Sequence, residues 1–592
     1  MRIYINSNPY INSNQYINSN PYIICFHIKG KLDSYELANV KSILLYNQLE
    51  FIPNKDFLET HIEIGPRNNF KTPWNSNVLQ IFKRCGILSV DSIEFSTFYP
   101  NTKIPIELDK MLYVEYNSKE PNEPNEPNEP NEPIKTYYVS DIEVFNKEYK
   151  LGFDDQDIKY YNNVYKNLHR FPTNVELYDL SQCNSEHARH WFFRGIFNYN
   201  GIDIDEPNLI NKLKTTLNPE GNSLISFQDN ASAIKGEYTT SFVVSNNKLI
   251  LKDNFIHFSY KAETHNFPTG ISPFPGASTG VGGRIRDNIA IGMGGRLIAG
   301  TAGYCVGDID QEYDYQLNSP RKILIEASNG ASDYGNKIGE PLIQGFTRTY
   351  RKDFIEGRIE WLKPIMFSGG MGRILNKDLL KRFGNFGDLI VRIGGPAYNI
   401  GMGGGSASSR SQDNANMEQD FSAVQRGDPE MANKVVRFVE QCCVLENNPI
   451  FNIHDQGSGG MANVTREISE PLGAKIFLDN VDVGDKSMNS LEKWVAEYQE
   501  QITILVEPKD LYKVRNIAKR ENVPLKVVGY IENKGKIEVV SKTEKIKVVD
   551  FPILEDDFTK TFPIEKPNFS YNLVCNKINN KMNNSIIQKL EL

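Results

Sequence analysis

At 592 residues with a net charge of −8 and a pI near 5.7, the chain is too long for one core and reads as about three to four domains. The acidic balance lacks the basic face of a nucleic-acid binder, no apolar run is long enough to span a bilayer, and Met1 to Tyr22 is too polar for a signal peptide, so nucleic acid and membrane are not expected partners. Seven cysteines, odd in number and without a CxxC pair, read as reduced thiols of a cytoplasmic protein, not as disulfide staples or zinc ligands.

Residues 1–22 repeat a YINSNP/Q hexamer with Tyr4, Tyr10, Tyr16 and Tyr22 in phase, a low-complexity tract expected to be disordered. Residues 23–116 alternate apolar segments (YIICFHI, IEFSTFY) around the helical run NVLQIFKRC, which predicts a small α+β domain. Residues 117–150 contain EPNEPNEPNEPNEP from Glu120 to Pro133, whose prolines and like charges predict an extended linker. Residues 151–200 are mostly helical and carry QCNSEHARHWFF, in which His187 and His190, three apart, are expected to share a helix face. Residues 201–383 alternate strands with glycine-rich loops, and residues 384–549 form a second α/β unit. Residues 550–592 are Lys- and Asn-rich and read as a tail. The fold class expected is α/β, with an α+β N-terminal domain and a helical linker ahead of it.

Chemistry concentrates in a few segments. Phe255, His257 and Ser259 alternate with Ile256, Phe258 and Tyr260 as in a strand, which then presents Lys261, Glu263 and His265 before the chain breaks into Gly, Pro and Ser. Glu263, Asp287 and Asp455 are hard oxygen donors of the kind Mg²⁺ prefers. GASTGVGGRIRD, from Gly276 to Asp287, reads as a glycine-rich loop whose N–H groups approach phosphate oxygens, with Arg284 and Arg286 adding charge. It is not a GxxxxGK[ST] loop. GMGGGSASS, from Gly401 to Ser409, is a second such loop. His187, His190, His265 and His454 fall in polar motifs and are candidates for moving protons.

These motifs, with EIGPRNNFKTPWNSN, ASNGASDYGNKIGEP, PIMFSGGMG, DFSAVQRGDPEM and AEYQE in this order, resemble the phosphoribosylformylglycinamidine synthase family, in the N-terminal half of its long eukaryotic-type chains. The resemblance runs from about Glu63 to about Val540 and implies one two-part unit of the aminoimidazole ribonucleotide synthetase type. It implies an ATP-dependent C–N ligase of purine biosynthesis, in which ATP phosphorylates the amide oxygen of formylglycinamide ribonucleotide and ammonia displaces the phosphate. It implies catalytic roles for His187 and His265. ATP would be held by His190, Lys261 and the run Gly276, Ala277, Ser278, Thr279, Gly280, Val281, Gly282, Gly283, Arg284, Ile285, Arg286 and Asp287. The ribonucleotide would meet Thr264, Asn266, Phe267, Arg286, Gln425, Glu497, Tyr498 and Gln499, and Mg²⁺ would sit on Glu263, Asp287 and Asp455.

The sequence departs from the family at Ala188, where many relatives have Cys, at Phe267, where bacterial relatives have a second His, and at Tyr498, where shorter forms have Ser. No glutaminase is recognisable: His61 and Glu63 have the His-x-Glu spacing, but Cys25 lacks a glycine-flanked elbow. The resemblance therefore implies ammonia from solution or from a glutaminase domain or subunit, and a dimer or a complementing second half as partner. The competing expectation is a truncated, catalytically silent fragment or interaction subunit.

Overall fold

The computed structural model describes residues 2–6, 23–44, 60–67, 71–101, 109, 111–116, 135–204, 208–245, 248–311, 318–354, 357–409, 417–498, 500–553 and 558–564. The EPN tract and most of the hexamer repeat lie outside them. The first repeat copy does not follow the expectation of disorder: Arg2–Asn6 is a strand paired antiparallel with Ile23–Gly30. It is the edge of a five-stranded sheet that continues through Val90–Pro100, His61–Pro66 and Tyr113–Tyr116. Helices Ser34–Leu44 and Pro73–Arg84 cover the face bearing Ile24, Phe26 and Ile28.

The linker helices begin where the sequence offers caps. Asp154 and Thr173 each accept from the third helical N–H, and the acids there, Asp157 and Glu176, reach back, so Asp155–Asn167 and Asn174–Cys183 start sharply. Leu177, Leu180 and Tyr161 share a core with Ile476, Trp494 and Val528 of the second α/β unit. Asp179 clamps this packing: Arg466 donates to both of its oxygens at 2.5 and 2.8 Å, and Trp494 Nε1 donates at 2.8 Å. The linker therefore packs into the C-terminal half instead of standing apart.

Two sheets carry the α/β portion. The first has the spatial order Leu342–Thr349, Arg296–Val306, Ile365–Leu375, Lys248–Thr264, Ser232–Ser245, Ser223–Ile225, and helices Pro273–Ile289 and Pro320–Ile338 pack together beside it. The second runs Asn452–Asp455, Gln501–Val506, Leu389–Gly394, Leu525–Ile531, Gly473–Phe477, Lys536–Val540, Val549–Pro552. Helix Pro429–Cys443 buries Val435, Phe438, Val439 and Cys442 against it, as their spacing predicted. The mixed α/β class agrees with the expectation from sequence.

Two glycine-rich segments read as loops are helices. Gly276–Asp287 lies inside Pro273–Ile289, and ASNGASDYGNKI lies inside Pro320–Ile338. The glycines serve close approach, not loop freedom: a Cβ on Gly276 would meet the Pro268 carbonyl carbon at 2.4 Å, and one on Gly330 would meet Phe274 O at 2.1 Å. Each helical glycine costs about 1 kcal/mol in propensity, and the burial of this helix pair offsets it.

Among the described residues, 190–204, 208–218 and 558–564 form a second compact unit. There Thr561–Ile564 pairs in parallel with Ile196–Tyr199, so part of the expected tail is a strand. Among the described residues no helix is long and apolar enough to cross a membrane.

Candidate active site

A cavity of about 520 Å³ opens where the linker, the first sheet and the second α/β unit meet. The strand Lys248–Thr264 supplies one wall. Its period-two alternation puts Lys261 and Glu263 on one side, and Lys261 Nζ bridges Glu263 at 2.9 Å and Asp287 at 3.1 Å. Burial disfavours the Lys261 ammonium, but Asp287 and Glu263 outweigh it and hold the proton more tightly than usual. Burial likewise opposes charge on Glu263, and Lys261 overcomes it, keeping that carboxyl below its ordinary value. Asp287 is pushed well above the carboxylate range, first by burial and then by the charges of Asp455 and Glu263.

Asn230 ties the acids together, its Nδ2 donating to Asp455 at 2.8 Å and facing Asp287 at 3.4 Å. Lys381 holds Asn230 Oδ1 at 2.8 Å and Asp229 at 2.5 Å. His454 lies behind this lysine, with Nε2 3.4 Å from it and Nδ1 3.2 Å from Glu467. The motif histidine next to Asp455 is thus a support for Lys381. Glu263, Asp287 and Asp455 line one cavity, but among the described residues their oxygens do not converge within 4.8 Å as a set; that proximity is met by Cys25, His27 and Glu63 in the N-terminal sheet.

His265 follows the strand end instead of continuing it. Its N–H donates to Met366 O at 2.7 Å, and its Nδ1 lies 2.5 Å from Gly276 O. A carbonyl only accepts, so Nδ1 carries the proton and Nε2 is left bare. Burial drives the imidazole pKa down to about 4. His187 lines the same cavity from the turn Glu186–Arg189. That turn ends at His190, whose φ of 56° is left-handed, so the two do not share a helix face as the spacing suggested, and His190 belongs to the second compact unit.

Helix Pro273–Ile289 sorts the expected phosphate cradle by face. Thr279, Gly280, Gly283, Arg286 and Asp287 look into the cavity. Ala277, Val281 and Ile285 enter the core, Gly282 is buried, and Ser278 Oγ donates to Gly330 O at 2.9 Å. Arg284 turns the other way into a buried ion pair with Glu340. The interior N–H groups of this segment serve the helix, so it does not act as a loop of free donors. Gly280 fits tightly, since a Cβ would meet His265 Cβ at 2.8 Å, whereas at Gly283 it would meet only Arg286 Nη2 at 3.6 Å. Gly280→Ala is therefore expected to destabilise by about 1–3 kcal/mol, and Gly283→Ala to stabilise by up to about 1 kcal/mol through helix propensity. Urea midpoints of the two variants check the contrast; equal shifts would refute it.

Thr264, Asn266 and Phe267 reach the cavity, with Asn266 Oδ1 accepting from Met366 N at 3.0 Å and Phe267 packing on Ala407 and Ala423. Gln425 donates to Glu497, whose pKa burial raises to about 7. Tyr498 points away: its hydroxyl donates to Glu492 O at 3.3 Å and its ring lies under Arg392. Gln499 lies outside the described residues. Gly401 and Gly403, with φ of 74° and 77°, form the turn that leads into Gly404–Ser409 at the cavity edge.

Sequence reasoning missed Asn230, Asp229, Ser458 and Lys363, all on the cavity wall. It also missed Glu500, a buried acid whose pKa is raised to about 8 by burial and then Asp428, and which accepts from Tyr334 OH at 3.0 Å. A folded pKa above the unfolded one gives stability present below about pH 4.5 and lost as pH rises towards about 8. Glu500→Gln is expected to flatten that part of the stability profile, which denaturation at several pH values would reveal; an unchanged slope would refute it.

Three family models match: formylglycinamide ribonucleotide amidotransferase N-terminal over residues 21–112, formylglycinamide ribonucleotide amidotransferase linker domain over 142–190, and AIR synthase related protein, C-terminal domain, over 385–542. The chain is 42% identical over 571 residues to a probable phosphoribosylformylglycinamidine synthase, chloroplastic/mitochondrial, of Arabidopsis thaliana, covering 88% of this chain and 40% of that protein. It is 40% identical over 572 residues to phosphoribosylformylglycinamidine synthase of Dictyostelium discoideum, covering 88% of this chain and 42% of that protein. The chain thus spans about two fifths of the length of these relatives. T. maritima PurL complexed with FGAR shares the fold with a TM-score of 0.50 at 24% identity, over 69% of this chain and 59% of that one.

Proposed function

We propose, for a chain that carries the N-terminal and linker domains of the formylglycinamide ribonucleotide amidotransferase family and an AIR-synthase-related C-terminal domain, the ATP-dependent amidation of formylglycinamide ribonucleotide. The γ-phosphoryl group of ATP passes to the amide oxygen, releasing ADP; ammonia then attacks the activated carbon and phosphate leaves, giving the amidine. The observation that carries this reading is one cavity in which His187 and His265 face a cluster of Lys261, Glu263, Asp287 and Asp455.

The residues have separable roles. Lys261 neutralises phosphate charge from the strand end, and Arg286, 3.8 Å from Asp455, adds a second cation. Nε2 of His265 accepts a proton from the attacking ammonia or the amide, as a neutral imidazole can. Thr264, Asn266, Gln425 and Glu497 offer donors and acceptors to the ribonucleotide. Glu263, Asp287 and Asp455 fit a hard divalent cation such as Mg²⁺, because burial first and then the charges of Asp455 and Glu263 disfavour the Asp287 carboxylate, and added positive charge favours it. When bound, such an ion would neutralise developing phosphate charge.

A partner is part of the proposal. The first sheet exposes Ile234, Phe258, Tyr260 and Phe346 at 37–40% of their surface, and their strand pairing puts them on one face. An apolar sheet face of this kind is suited to a second synthetase half or a second copy. Nitrogen would come from free ammonia or from a glutaminase partner.

The test is to incubate the purified chain with formylglycinamide ribonucleotide, Mg-ATP and ammonium and to follow ADP and amidine. Coupled formation of both supports the reading. ADP formation without amidine would redirect it to a kinase, and no turnover by a folded chain supplied with a complementing half would mark a silent fragment.

A further inference from the structure

We infer that Lys363 anchors the 5′-phosphate of the ribonucleotide, so that the cavity end away from the carboxylates is a phosphate-monoester subsite; this rests on the proposed amidation. Lys363 precedes the strand Ile365–Leu375 and lines the cavity. Other cations of this wall are held elsewhere: Lys261 by Glu263 and Asp287 and Arg286 beside Asp455 at the phosphoryl-transfer end, Arg466 by Asp179, and Arg189 by the Cys183 carbonyl. Lys363 makes no hydrogen bond or ion pair among the described residues, burial holds its ammonium below the ordinary lysine value, and Asp420 is the acid that acts on it. A partly desolvated ammonium facing a cavity without a paired anion is a site for an anionic ligand.

Sheet register shows which anion. Glu263 pairs with Ser368 and Thr264 with Phe367. His265 N–H then bonds Met366 O, and Met366 N–H bonds Asn266 Oδ1. Lys363 lies five residues before Ser368, on the side away from Lys261, a span of at most about 16 Å at roughly 3.3 Å per residue. The phosphoryl group is transferred at the Lys261–Glu263–Asp287 end, so the acceptor amide must lie there. In the ribonucleotide, that amide hangs on the ribosylamine nitrogen at C1′ and the 5′-phosphate on the opposite side of the ribose ring, so the two groups cannot occupy the same end of the cavity. With the amide at the carboxylates, the phosphate reaches toward Lys363 in a cavity that Phe267 and Ala423 also line. Lysine serves as a compact point charge for such a group.

Calorimetric titration of the full chain tests this with four ligands: formylglycinamide ribonucleotide, its dephosphorylated nucleoside, ribose 5-phosphate and a non-hydrolysable ATP analogue. Lys363→Met is expected to weaken ribonucleotide and ribose 5-phosphate binding by about tenfold or more, the scale of a charge-assisted hydrogen bond. Nucleoside and ATP-analogue binding should stay unchanged, and Lys363→Arg should retain most of the affinity, which a merely structural lysine would not produce. An equal loss for nucleoside and ribonucleotide, or a loss confined to the ATP analogue, overturns the assignment. If the wild-type chain binds ribose 5-phosphate through Lys363 but not the ribonucleotide, the subsite stands and the proposed reaction falls. If no phosphate ester binds in a Lys363-dependent way, the subsite is refuted.

Discussion

His265→Ala is expected to lower kcat for amidine formation by about 10²- to 10⁴-fold, the usual contribution of a positioned proton-transfer group. Three constraints place this ring. Its backbone N–H is tied to Met366 O, its Nδ1 proton to Gly276 O, and its Cβ rests where any side chain on Gly280 would collide. They leave one ring nitrogen for chemistry, Nε2, in a group whose pKa burial depresses to about 4, so it is neutral and able to accept a proton at physiological pH. A loss confined to the chemical step should lower kcat with little change in either KM. Steady-state kinetics, with thermal denaturation to show that the variant remains folded, decide the point. A folded His265→Ala chain with undiminished kcat would remove His265 from the mechanism.

Arg284→Met is expected to destabilise the chain by about 3–5 kcal/mol, because it strands a buried charge on Glu340. Neither side chain of this pair is exposed. Arg284 Nε also faces Ser368 Oγ at 3.4 Å, and Gly300 and Gly370 give the guanidinium room, since a Cβ on either would lie 2.4 or 2.5 Å from its nitrogens. The double variant Arg284→Met, Glu340→Leu should recover most of the loss, since removing both charges also removes the desolvation cost. Urea midpoints of the single and double variants measure this. Nucleotide affinity of the folded variants should be unchanged, as Arg284 turns away from the cavity that Arg286 faces. A double variant no more stable than the single one, or a selective loss of nucleotide affinity, would contradict this reading.

Several features were legible before the structure because they depend on local periodicity. Strand alternation put Lys261 and Glu263 on one side, and Val435, Phe438, Val439 and Cys442 marked an apolar helix face. The composition of QCNSEHARHWFF and ETHNFPTG pointed to a polar site, and the cavity contains His187 and His265 from them.

The errors share a cause. Glycine is chosen both where a chain must turn and where another backbone must come close, and residue identity does not distinguish the two. Gly276, Gly280 and Gly330 are of the second kind, so a predicted loop is a buried helix. Glu497 and Tyr498 are neighbours in sequence, yet one faces the cavity and the other passes under Arg392.

From its own residues the sequence determined the α/β class, the order of motifs and the strand that carries Lys261 and Glu263, because alternation and turn chemistry act within a few residues. Only the tertiary structure decided that Asn230 bridges Asp287 and Asp455, that Arg284 is structural while Arg286 faces the site, and that Lys363 lines the same cavity. Those relations join segments tens to hundreds of residues apart. They are set by sheet register and helix packing, which no short stretch of sequence encodes.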